Sequence, residues 1–250
     1  MTQPVKSADR TLEILEVLAA NGPRTLGDLA RDLGIPKSSL HGILRTIAQR
    51  GWIETDPTGT RFGLGLTALR VGAAYLDTDD VVALLGTALD ELSAAFGETV
   101  HLGRLDGADV VYVAKRESKH PLRLYSAIGR HLPAHATALG KALLAGLPPA
   151  VVDAALPGPL PRLTARTITD RGALHAELDA VRERGYAVDN GENTDGIVCV
   201  ARALPLSDPP ADAISVSVPQ SRVGPDTVAA VAAALGTAVD RLTAASGLLR

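Results

Sequence analysis

The chain has a single cysteine, Cys199, in 250 residues. One thiol excludes an intramolecular disulfide framework and fits a reducing compartment. Aromatic residues are also scarce, at 3%. Only Trp52 and Phe62 fall in the first 65 residues, too few rings there for the stacking platforms that hold single-stranded RNA. No apolar run follows a basic start, so no secretory leader is expected. Apolar stretches are broken by charge, Gly or Pro before they reach ~18 residues, so no membrane span is expected. A cytoplasmic protein is the resulting expectation. Catalytic signatures are missing as well: neither G-x-S-x-G nor H-E-x-x-H occurs. "ALGKA" is not a phosphate loop, because His135 stands where the first Gly is required and Ala142 where Ser or Thr is. His131 and His135 are four apart, but Pro133 breaks the helix that would align them on a metal. No metal, cofactor or catalytic residue is therefore expected.

What is present is an ordinary globular composition, 46% hydrophobic and 21% charged. The net charge of −3 argues against a general polyanion binder, but it is uneven. Residues 1–70 hold nine Lys+Arg against seven Asp+Glu, a net +2; the remainder holds 16 against 21, a net −5. Between Lys37 and Arg50 every charge is positive. Local charge, not the total, decides docking.

Three helical patterns fill the N-terminal quarter. Ser7 is positioned to cap the first, whose stripe reads Ala8, Leu12, Leu15, Ala19. Thr25 caps the second with Asp28 in the place of a capping-box acid, and Gly34 closes it. The third begins at Pro36, turns Leu40, Ile43, Leu44 and Ile47 inward, and ends at Gly51. A hairpin follows, turning at Asp56-Pro57-Thr58-Gly59. This order makes a winged helix-turn-helix, whose third helix enters the DNA major groove. Lys37 and Arg45 reach phosphates or guanine edges; Ser38, Ser39, His41 and Thr46 offer hydrogen bonds to bases; Gly42 permits close approach; Arg61 on the wing suits a phosphate or the minor groove. The alternative for these residues is a solvated helix face, or a winged helix kept for protein contacts.

Residues 66–76 form a helix with Leu66, Leu69, Ala73 and Leu76 on one stripe. The symmetric partner for it is the same helix in a second chain, the alternative being packing within the chain, and a dimer suits a palindromic operator on double-stranded DNA. Beyond it, strands paired by hairpins alternate with helices, giving an α+β fold with a mostly antiparallel sheet. The expected strands are 98–105, 110–114, an extended 121–125, 186–189, 197–204 and 213–218. The expected domains are 1–65, a linker helix 66–80, and 81–250. In Ile214-Ser215-Val216-Ser217-Val218 both hydroxyls share one face. A helix starting near Ala136 offers N–H groups that suit a carboxylate.

"GRHLPAHATALGKA" (residues 129–142), Gly185-Tyr186-Ala187-Val188-Asp189 with Glu192, and Gly196-Ile197 with Cys199 and Ala201 resemble the signatures of the IclR family of bacterial transcription regulators. "SLHGILRTIAQRGWIE" and "FGLG" are similar to its winged helix. Leu204-Pro205-Leu206 departs from the family's usual aromatic residue at a strand end. The resemblance implies a homodimeric or tetrameric DNA-binding regulator, more often a repressor than an activator. It also implies a GAF-like effector domain for a small carboxylate: a sugar acid, keto acid or aromatic acid. Carried over, the implied effector contacts are Leu124, Leu132, Ala138, Leu139, Asp189, Ile197, Cys199, Ser215 and Ser217. The competing class is a small-molecule enzyme with an accessory winged helix.

Overall fold

Thr25 and Asp28 lock the start of the second helix by exchanging bonds. Thr25 Oγ1 accepts the Asp28 N–H at 3.1 Å and Asp28 Oδ2 accepts the Thr25 N–H at 3.3 Å. This cap is seen in a computed structural model that describes residues 4–246. Contacts divide the chain into two units, one ending at Asp79 and one beginning at Asp80.

The first unit runs α1 (Lys6–Asn21), β1 (Arg24–Thr25), α2 (Leu26–Leu33), α3 (Lys37–Gln49), β2 (Ile53–Thr55), β3 (Arg61–Leu64) and α4 (Leu66–Asp77). Gly34, at φ +63°, ends α2 in the left-handed conformation that only Gly adopts cheaply. Asp56 Oδ1 accepts the N–H groups of Thr60 at 2.8 Å and Arg61 at 2.9 Å, which folds the wing turn. The small sheet has the order β1-β3-β2 and is antiparallel. Its core joins Ile14, Leu18, Leu29, Ile35, Leu40, Leu44, Ile47 and Ile53.

Two local expectations are corrected in α1. The buried pair is Ile14 and Leu18, while Ala8, Leu12 and Ala19 are exposed. Two stripes of helical spacing compete there, and the one with the larger side chains turns inward because it removes more apolar area from water. Ser7 does not cap the helix: Val5 holds the cap position without a side-chain bond.

The second unit runs α5 (Asp80–Phe96), β4 (Thr99–Asp106), β5 (Asp109–Arg116), β6 (His131–Pro133), a 3-10 turn (Ala134–Ala136), α6 (Ala138–Leu144), α7 (Pro149–Ala155), α8 (Arg171–Arg184), β7 (Ala187–Asn190), β8 (Ile197–Ala203), β9 (Asp212–Pro219) and α9 (Thr227–Ser246). Six antiparallel strands lie in the order β6-β5-β4-β9-β8-β7. No strand forms over residues 121–125; the edge strand is β6, which pairs Leu132 with Val110. Alternation on β9 turns Ser215 and Ser217 toward α6, and Ile214, Val216 and Val218 toward the opposite face, where α9 packs. Residues Thr227–Ala244 of α9 have the length and hydropathy of a membrane span, contrary to expectation. In the fold, Val231, Leu235, Val239 and Leu242 of this helix are buried, and it packs on β8, β9 and α5.

Gly140 explains how α6 sits so close to the turn before it. A Cβ there would lie 2.2 Å from the Ala134 carbonyl oxygen, so backbone meets backbone without an intervening side chain. That contact brings the start of α6 down onto the sheet face carrying Ser215 and Ser217.

Candidate functional site

The side chains of α3 sort into two faces. Leu40, Leu44 and Ile47 are buried, and Ile43 is partly so. Lys37, Ser38, Ser39, His41, Gly42, Arg45 and Thr46 are all exposed. No acidic partner engages Lys37, His41 or Arg45 among the described residues, so this face is electropositive and open. Gly42 sits at its centre, with nothing within 4 Å of where a Cβ would be. Around it Ser7, Thr11, Ser39 and Thr46 line a shallow groove. Two residues are less free than their type suggests. Thr46 Oγ1 donates to the Gly42 carbonyl at 3.0 Å, and Arg61 Nη1 donates to the Pro23 carbonyl at 3.1 Å. Arg61 thus ties the wing to β1 with one arm of its guanidinium while remaining exposed.

The second unit contains a small cleft between the sheet and the start of α6. Eight of the nine residues implied by the resemblance line it: Leu124, Ala138, Leu139, Asp189, Ile197, Cys199, Ser215 and Ser217. Leu132 does not. Its pairing opposite Val110 leaves it on the same sheet face as Tyr112, but on the edge strand, where it packs into the core with Val110, Ala134 and Leu139 and does not line the cleft. Sequence reasoning missed four lining residues, Tyr112, Thr137, Asn193 and Thr194. Tyr112 had a signal, since its strand alternates, and Thr137 directly precedes Ala138. The helix starts two residues later than expected. Thr137 caps it, its Oγ1 accepting the Gly140 N–H at 3.0 Å.

Hydrogen bonds fix the floor of the cleft. The Cys199 thiol donates to Ser217 Oγ at 3.2 Å. Ser217 Oγ lies 3.5 Å from His101 Nδ1, and His101 Nε2 lies 2.7 Å from Ser126 Oγ. His101 stacks on Tyr112 with ring centroids 4.2 Å apart. Burial pushes the His101 imidazole down to about 3, so it is neutral at physiological pH. Burial also raises the Cys199 thiol and the Tyr112 phenol, keeping both protonated.

Asp189 is buried, and burial pushes its carboxyl up to about 7. Its Oδ1 accepts the N–H groups of Glu192 at 2.6 Å and Asn193 at 3.3 Å, shaping the loop after β7. Thr164 and Thr167 clamp that loop from behind, donating to the carbonyls of Gly191 and Glu192 at 2.7 Å each. Lys141 of α6 is 1% exposed and reaches Glu192 at 2.6 Å and Glu177 at 3.3 Å. Burial raises the Glu192 carboxyl, and the Lys141 ammonium pulls it back. The "GKA" and Asp189-x-x-Glu192 signatures are therefore joined in space by one buried ion cluster beside the cleft.

An open basic helix with its wing, together with a sheet domain holding a small polar cleft, defines a transcription regulator with a DNA-reading unit and a ligand-sensing unit. Comparison with known proteins agrees. Residues 7–57 match the model of the IclR helix-turn-helix domain, and residues 73–244 that of the bacterial transcriptional regulator IclR C-terminal domain. The chain belongs to the IclR family of bacterial transcription regulators. It is 38% identical over 199 residues to the HTH-type transcriptional regulator XynR of Escherichia coli, covering 79% of each chain. It is 34% identical over 241 residues to the regulator BhcR of Paracoccus denitrificans, covering 96% of this chain and 86% of that one. Among solved structures, the regulator from Alicyclobacillus acidocaldarius matches with a TM-score of 0.85 at 26% identity, covering 97% of this chain and 99% of the other. The relatives are named as regulators, and this chain is a DNA-binding regulator, not an enzyme.

Proposed function

We propose that the chain is a homodimeric or tetrameric repressor whose affinity for a palindromic operator is changed by a small carboxylate effector held in the cleft of its second unit. The observation that carries this reading is the cleft itself, on which Ser215, Ser217, Asp189 and Thr137 converge. The repressor sense is supported by relatives such as the transcriptional repressor AllR of Klebsiella pneumoniae, 32% identical over 225 residues. Self-association is supported by α4, where no residue is buried and Leu66 and Leu69 are 78% and 69% exposed. An apolar stripe of this kind is satisfied by a second copy.

The mechanism is a population shift. An effector that prefers one conformation of the second unit changes the presentation of two α3 helices, with a coupling of ~1–3 kcal/mol, or ~5–150-fold in operator affinity. Ser217→Leu fills the cleft from its floor. It is expected to abolish the effector response while operator affinity without effector stays at the wild-type value. Titration of labelled operator with and without the acid checks this, and a normal response would place the effector elsewhere. Arg45→Ala is expected to lower specific operator affinity by ~1–3 kcal/mol if the guanidinium reads a base. An unchanged affinity in the same titration removes Arg45 from the contact set.

A further inference from the structure

We propose that the cleft takes its acid together with one proton, carried by Asp189, so that the effector carboxylate is held by a neutral carboxyl and by hydroxyls instead of by a cation. This rests on the reading of the cleft as the effector site. The first reason is what the walls contain: no Lys or Arg stands among the cleft-lining residues. The one carboxyl lining it is Asp189, which is 3% exposed.

The groups packed around Asp189 supply no free positive charge. On β8, Cys199 is its cross-strand partner and is a neutral thiol. On β5, Tyr112 is a neutral phenol, and on β4, His101 is a neutral imidazole behind Ser217. On α6, the Lys141 ammonium is taken by Glu192 and by Glu177 of α8. Glu192, on the loop after β7, adds negative charge. An acid entering as its anion thus sets a second carboxylate beside a first with no counter-ion. Two carboxylates that share a desolvated site do not both stay ionised. Oδ1 of Asp189 accepts two backbone N–H groups, which leaves Oδ2 to carry the proton and donate it in a hydrogen bond to the ligand oxygen. The proton comes from solvent. Burial has already brought Asp189 close to half-protonation near neutral pH, so the uptake costs little.

Calorimetry on the full chain tests this with glycolate, glycerate, gluconate and benzoate, each beside a neutral counterpart (glycolamide, glycerol, sorbitol and benzamide). Titrations in buffers of different ionisation enthalpy count the protons bound. For an acid that binds, uptake of about half a proton is expected at pH 7, rising to nearly one at pH 8.5. Its affinity is expected to fall about tenfold per pH unit above about pH 7 and to level off below. In Asp189→Asn the acid is expected to bind with no proton uptake and a flat pH profile, since Asn keeps the Oδ1 acceptor and the hydrogen-bonding amide. Binding of an acid to the wild type without proton uptake, at constant affinity from pH 6 to 9, overturns the proton coupling and leaves the effector site standing. Binding of the neutral counterparts alone, or of nothing in the panel at any pH, overturns the carboxylate reading and the coupling with it.

Discussion

Gly42→Glu is expected to lower operator affinity by at least ~100-fold, or ~3 kcal/mol, while leaving the melting temperature unchanged or higher. Both halves follow from the position. Gly42 lies inside α3, and a Cβ added there has nothing within 4 Å beyond its own helix backbone and chain neighbours. Replacing Gly in a helix interior by a residue with a Cβ favours the helix by ~0.5–1 kcal/mol. The fold therefore tolerates the change. The DNA does not: a carboxylate at the centre of the face formed by Ser38, His41 and Arg45 meets phosphates of like charge and adds bulk where the helix approaches closest. Fluorescence anisotropy with labelled operator, beside a thermal melt, checks both halves. Unchanged affinity would remove α3 from the DNA interface.

Lys141→Met is the second large effect, and it acts on the fold. It removes the cation from between Glu192 and Glu177 and leaves two buried carboxyls, Glu192 and Asp189, without a counter-charge. Breaking a buried pair in this way costs ~3–5 kcal/mol. The loss depends on pH. The folded-state carboxyls of Glu192 and Asp189 already lie above their ordinary values, and loss of Lys141 raises them further. A carboxyl raised in the folded state favours folding while it is protonated, and that contribution is lost as pH rises through the folded value. The variant is therefore expected to stand closer to wild type at pH 5 than at pH 8, and Glu192→Gln in the same chain to recover part of the loss at pH 8. Melts at the two pH values decide it. An equal deficit at both, unrelieved by the second change, would assign the effect to packing alone.

Much of the first unit was legible because its chemistry is local. Thr25 and Asp28 are three residues apart and cap one another, Gly34 stops its helix, and Asp56 folds its own turn. The cleft was legible on β9, where alternation alone puts Ser215 and Ser217 on one face, and elsewhere through the family resemblance. What escaped is non-local. Leu132 shares the cleft's sheet face but lies on a three-residue edge strand beyond the lining residues, a position set by its pairing with β5 and not by its own pattern. Nothing in the sequence marks Lys141 as buried, since its partners lie 36 and 51 residues away. Residues 121–125, expected to be extended, pair with no strand; Leu124 lines the cleft while Tyr125 beside it is 84% exposed.

The most direct test of the whole account is a footprint and affinity titration of the full chain on the DNA flanking its own gene, with and without the acids that calorimetry shows to bind. The account predicts protection of a two-fold symmetric site, with an affinity that one acid shifts by ~5–150-fold and that Ser217→Leu makes indifferent to that acid. Specific binding that no cleft ligand alters, or no preferred site in any flanking DNA, would contradict it.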